Sequence, residues 1–412
     1  MELMTKYQYT YFIYPYVIGK AGYQRYMQRL LKNKKCKLRI FEKEKDMHLY
    51  QYFLPDIRDY VFWSFGLTKQ GRRSFEELDV ELKAKLLSEH ECNIFQYDLP
   101  KDLQGKIGEK GGIFFDITEI KLICFRTGIC FLLLKTALIE DKSMIDVLNF
   151  NYKFREINSR TYSLKEYENI RLQSDVFKDV TEISTLIKDI TGSNIDTKKM
   201  NIDNEKMLIY SYCCLDQNSW NEETQPAVID NLFEKYRLSL PAGEQIADKV
   251  EIKKDIEINE HNYVRYGFSN AGTVLLTSDI HTSNYTTIAQ KYESEYLYTY
   301  ILELYKKFLL KKLNYEFNQT TKFRKIETAF LNFTKRLWVQ EITEDEFGKV
   351  LSKKWHEHLN IEEIFLKLKN KYDILYKKYN IEKTNQKNEK FAVAVVVLIV
   401  IGIINLILQI WK

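Results

Sequence analysis

The chain has 412 residues, enough for two or three domains with cores of their own. An apolar share of 45% excludes a disordered polymer, and an aromatic share of 14%, carried by 29 Tyr and 24 Phe, favours substantial sheet. The formal charge of +5 is interspersed with no long basic run, so the composition carries no nucleic-acid footprint.

Met1 to Gly19 is apolar but broken by tyrosines and Pro15, with no charged n-region and no small-residue cleavage site. It reads as a first β-strand, not a signal peptide. Strands are predicted at Tyr9 to Val17, Cys36 to Phe41, Cys92 to Tyr97, Ile120 to Phe125 and Ile129 to Thr136. Helices are predicted at Tyr23 to Leu31, Pro55 to Phe65, Phe75 to Ser88 and Met144 to Arg155. A second set follows, with a strand at Met207 to Cys214, a helix at Ala227 to Tyr236, and strands at Tyr263 to Gly267 and Val274 to Thr277.

One internal echo stands out. Lys121 to Thr136 and Val264 to Ser278 share a strand, a Phe, a polar turn with glycine, and a second strand ending in a leucine pair. Gly128 and Gly272 suit tight hairpins that need φ > 0. Two related α/β lobes packed together would leave such an echo; hairpins also recur for other reasons, so a single lobe stays open.

From Glu293 to Lys390 the pattern is helical. Glu295 to Phe317 has apolar residues at helical spacing with lysines opposite, the mark of a long amphipathic helix. Further helices are expected around Phe323 to Gln340 and Glu344 to Leu359. Ile361, Phe365, Leu368, Tyr372, Leu375 and Tyr379 then alternate by four and three, which suits a coiled-coil seam. Asn380 to Lys390 is polar all round, either an exposed helical neck or a short tether.

Phe391 to Trp411 contains no charge in 21 residues, 15 of them Leu, Ile, Val or Phe. At 1.5 Å per residue it spans about 31 Å, matching a hydrocarbon core of about 30 Å. Residues 371 to 390 carry six lysines against three acids, while only Lys412 lies beyond, so the large N-terminal part is expected in the cytoplasm of a single-pass, tail-anchored cell-membrane protein. Within the span, Leu398, Gly402, Asn405 and Gln409 fall on one face. Glycine permits close approach and buried amides seek partners, so this face is expected to associate with other copies or to line a pore.

Sites for chemistry are sparse. The glycines of Gly105 to Gly112 lead into a strand and not a helix, so a flexible loop is expected in place of a phosphate loop. His356 and His358 are two apart on a helix and lack zinc spacing. Glu42, Glu44 and Asp46 read as a solvated turn, and Asp196, Asp203 and Glu205 lack the ligand order of a calcium loop. The six cysteines lack paired C-x-x-C spacing and read as reduced core thiols. No catalytic constellation is evident, cofactors are undefined, and a non-enzyme is expected.

The layout of mixed α/β residues, long helices (293 to 390) and a final membrane helix resembles the CorA-type magnesium transporters. The stretches Gly112 to Thr136 and Val147 to Arg160 resemble bacterial proteins described as CorA-like. The resemblance implies an oligomer and transport of a divalent cation. It lacks two parts of that family: Gly402 is followed by Ile403, Ile404 and Asn405 where a Gly-Met-Asn signature belongs, and a second membrane helix is missing. The expected organisation is a first α/β lobe (1–158), a polar connector (159–205), a second α/β lobe (206–292), a helical stalk (293–390) and a transmembrane helix (391–411). The expected function is an oligomeric membrane protein with a sensor-like domain and CorA-like cation passage; the alternative is a membrane-anchored binding or signalling module without transport. The expected partners are the membrane, further copies of the chain and a divalent cation, with no nucleic acid.

Overall fold

Alternation along Thr5–Val17 puts Phe12, Tyr14 and Tyr16 on one side of a strand and Tyr9, Tyr11 and Ile13 on the other, and all of these are buried. A strand with two apolar faces belongs at the centre of a covered sheet. The structure, a computed structural model, describes residues 3–19, 22–99, 103–108, 112–139, 142–157, 170–173, 181–192, 195, 206–245, 257–261, 263–319, 323–338 and 341–410. These divide into two units, Met1–Lys312 with Gln340–Ile361, and Leu313–Val339 with Glu362–Lys412.

The described strands of the first unit form a 12-stranded sheet. They are β1 (Thr5–Val17), β2 (Cys36–Leu38), β3 (Cys92–Tyr97), β4 (Gln104–Ile107), β5 (Ile113–Phe125), β6 (Ile129–Leu138), β7 (Ile170–Gln173), β8 (Thr181–Glu182), β9 (Leu208–Leu215), β10 (Glu257–His261), β11 (Val264–Ser269) and β12 (Gly272–Ser278). The order is β10-β11-β12-β9-β1-β6-β5-β4-β7-β8, with β3 pairing the second half of β5 and β2 pairing β3. All pairs are antiparallel except β9 with β12. The fold is thus mixed α/β with a large sheet, followed by a long apolar helix. Strands from both segments read as lobes join in this one sheet, since β1 pairs β9 through Thr10 and Ser211.

Both echoed hairpins form. Gly128 has φ 86° and Gly272 φ 147°, and a Cβ would stand 2.1 Å from the Ile18 carbonyl oxygen and 1.8 Å from that of Ile209. Conformation and close approach both demand glycine. The helix expected at Phe75 to Ser88 is two helices, Lys69–Glu77 and Val80–Glu89. The break has a local cause: Thr68 and Asp79 each accept a backbone N–H, from Gly71 and Leu82, and so start separate helices.

Helices Tyr23–Lys32, Val80–Glu89, Met144–Phe154, Ile183–Thr191 and Pro226–Leu238 supply the core against Phe12, Tyr14 and Tyr16. The opposite face meets the helix Leu297–Gln319, whose Tyr305 stacks on Phe125 at 3.7 Å and whose Tyr300 lies 5.5 Å from Tyr210. That helix is not amphipathic as expected. Trp355 of Glu346–His358 packs 5.4 Å from Tyr300, and even Lys306 and Lys312 are buried, donating to Glu303 and to the Thr127 carbonyl.

In the second unit, Phe365 stacks on Trp338 at 3.6 Å, and Phe330 lies 5.8 Å from Phe365 and 5.0 Å from Tyr372. The heptad-like seam is therefore occupied by helix Phe323–Phe333 and Trp338 of the same chain. Ile361–Ile410 is one helix of 50 residues, so Asn380 to Lys390 is an exposed helical neck.

A charged pocket and an apolar helix

A β-bulge builds the pocket. Ile117 opposes Thr136 and Glu119 opposes Lys135, so Thr118 is an extra residue in β5. Before it Phe115 and Ile117 face the helical core; after it Ile120, Leu122 and Cys124 do. The change of parity brings Glu119 and Lys121 out on the other face, beside Tyr11 of β1 and Lys135 of β6.

There, Glu119 Oε2 accepts from Tyr11 Oη at 2.9 Å and meets Lys121 Nζ at 2.8 Å. Lys135 pairs with Glu293, and its ammonium lies 4.8 Å from the centre of the Tyr9 ring. Arg39 Nη2 lies 2.6 Å from Asp46 Oδ1, while Asp46 Oδ2 accepts the backbone N–H of Glu42 at 2.9 Å. The expected solvated turn at Glu42, Glu44 and Asp46 is corrected in this respect: Asp46 is buried, held by the guanidinium and the backbone. Arg39, Asp46, Glu119, Lys121 and Glu293 line a cavity of about 560 Å³ together with Tyr7, Phe41, Tyr285 and Tyr298, while Lys135 neutralises Glu293 from outside that lining. A second hollow of about 490 Å³ shares Gln96 and Glu119 with it.

Electrostatics keep the tyrosines protonated. Burial pushes the Tyr11 phenol well up, reinforced by Glu119 and Glu293. Burial and Glu119 do the same to Tyr298. Neither is a base; both are hydroxyls held among carboxylates.

A second buried cluster joins Glu346–His358 to Leu297–Gln319. Glu303 accepts from Lys306 Nζ at 2.8 Å and Ser352 Oγ at 3.0 Å, with His356 Nδ1 at 3.2 Å. Burial pushes the Glu303 carboxyl up, but Lys306 and His356 outweigh it and the net shift is down. His356 thus serves a carboxylate, and His358 lies where burial, Arg237 and Lys307 push its pKa down. Among the described residues no three His, Cys, Asp or Glu side chains converge as a metal site. Asp196, Asp203 and Glu205 lie outside the described residues.

The glycine-rich segment is not wholly a loop. Gln104–Ile107 is strand β4, and Gly105 lies under the Phe115 ring, where a Cβ would come within 2.0 Å. All six cysteines are buried and unbridged, and burial pushes the thiols of Cys92 and Cys213 well up.

Leu398, Gly402, Asn405 and Gln409 share an arc of about 60° on the Ile361–Ile410 helix. All four are exposed, and nothing stands within 4 Å of a Cβ at Gly402. The most apolar window of this helix has a mean hydropathy of 3.2, and it is the one described helix long and apolar enough to cross a membrane. Trp411, expected at the interface, lies outside the described residues. The pocket escaped sequence reading because its charges come from β5, β6, the segment just after β2, the bend at Asp46 and the helical turn at Glu293. The chain matches no family model, no curated protein and no solved structure.

Proposed function

We propose that the chain is a membrane-anchored binding module: its α/β unit takes a small polar ligand in the pocket above Glu119, and the apolar helix holds it at the cell membrane. The observation that carries this reading is the pocket itself, a cavity of about 560 Å³ rimmed by three ion pairs and aromatic rings. Its size and few convergent polar groups are those of small-molecule sites. Lysine excess before the helix favours a cytoplasmic α/β unit.

A second reading, CorA-like cation passage through an oligomer, draws on the Gly402, Asn405 and Gln409 face. The coiled-coil seam that would bundle several copies is filled by Phe330 and Trp338 of the same chain, which favours the anchor. The decisive experiment places full-length protein in liposomes beside a variant with Gly402, Asn405 and Gln409 all changed to Leu. The anchor reading expects both to stay inserted, with the same mass in detergent and no cation flux. Flux in the wild type that the variant loses would overturn it in favour of transport.

A further inference from the structure

We infer that the pocket binds a zwitterion carrying an ammonium and a carboxylate, with free α-amino acids the simplest class. This rests on the binding reading above and names its ligand. Each wall carboxylate, Asp46, Glu119 and Glu293, is paired with a cation: Arg39 and Lys121 at the wall, and Lys135 beside it. The Lys121 and Glu119 side chains are only 17% and 19% exposed. A ligand of net charge would bring an unmatched charge into this partly desolvated space, which is costly. A zwitterion brings one charge of each sign and leaves the cavity neutral.

Capacity for both signs remains. Glu119 directs Oε2 at both Tyr11 and Lys121, so its other oxygen is left to accept an ammonium proton. Arg39 uses Nη2 for Asp46, and the rest of its donor fork can meet a carboxylate. Ring faces here already host ammonium groups, with Lys121 Nζ 5.6 Å from the centre of Tyr11. Tyr7, Phe41 and Tyr285 at the cavity wall offer apolar surface to a ligand side chain. The volume exceeds what the two charged ends alone require.

The test titrates full-length protein in nanodiscs by calorimetry with the twenty common L-amino acids. It is repeated with phenethylamine and 3-phenylpropionate as single-charge partners of L-phenylalanine, and with a library of nucleotides, sugars and polyamines. We expect at least one amino acid to bind, and both single-charge analogues to bind at least tenfold more weakly than phenylalanine. Glu119→Gln should weaken the amino acid by tenfold or more. Arg39→Met combined with Asp46→Asn, so that no buried carboxylate is left unpaired, should weaken the amino acid while leaving phenethylamine unchanged. An analogue that binds as well as phenylalanine, or amino acids indifferent to both variants, would overturn the zwitterion. Library members binding in place of amino acids would overturn it while the binding reading survives; no binding by any probe would sink both.

Discussion

Lys307 illustrates how far a residue's chemistry depends on what folds over it. In the sequence it belongs to a lysine-rich stretch that reads as the wet side of a helix. In the fold, burial and then neighbouring Lys311 push its pKa down to about 8 from 10.5. Because the folded state binds the proton less readily than the unfolded chain, carrying that charge is a cost to folding below pH 8. Between pH 8 and about 10.5 the unfolded chain holds more protons, so the cost fades as pH rises through that window. Lys307→Met should therefore stabilise the protein at pH 7 by on the order of 2–3 kcal/mol. The gain should shrink toward zero near pH 10.5, as checked by thermal unfolding at several pH values. A gain independent of pH would mean that packing, not the buried charge, is responsible. The same blindness hid Asp46 and Glu119: a carboxylate in a mixed-charge run looks solvated until its partners converge. The cysteines were legible because their apolar neighbours in sequence are also their neighbours in the strands.

At the scale of elements, local signals served well where the cause was local. The hairpins at Gly128 and Gly272 needed φ > 0 and a side chain of zero size, and both requirements are written as glycine. The bulge at Thr118 has no such mark, because an extra residue shows only against the partner strand. The heptad-like spacing from Ile361 to Tyr379 was legible as an apolar stripe, but a stripe does not name its partner. Phe365 is buried against Trp338 and Phe330. Replacing it with Ala should cost about 3–5 kcal/mol of local stability. Faster amide exchange across Phe323–Phe333, with an unchanged mass in detergent, is the expected outcome. A fall in mass on that substitution would instead place the seam between copies.

At the scale of the whole molecule, charge is unevenly shared. Leu313–Val339 and Glu362–Lys412 carry fourteen basic against seven acidic residues, while the remainder carries 48 against 50. The unit that contains the apolar helix therefore holds the whole basic surplus, as expected of a segment facing a negatively charged cytoplasmic leaflet. With Lys412→Cys as the one accessible thiol, since the six native cysteines are buried, a membrane-impermeant maleimide should label intact cells from outside. Labelling only after the cells are opened would reverse the proposed orientation. The long apolar helix, the mixed α/β class, most strands and both hairpins were determined by the sequence alone, because each follows from hydropathy, periodicity or glycine within a short window. Only the tertiary structure decided that strands from both halves share one sheet, that the helix starting at Leu297 is covered on nearly all sides as far as Leu313, and that three ion pairs gather at one cavity. Those facts depend on contacts between residues one or two hundred positions apart, and nothing in local spacing encodes which of many compatible partners a surface will meet.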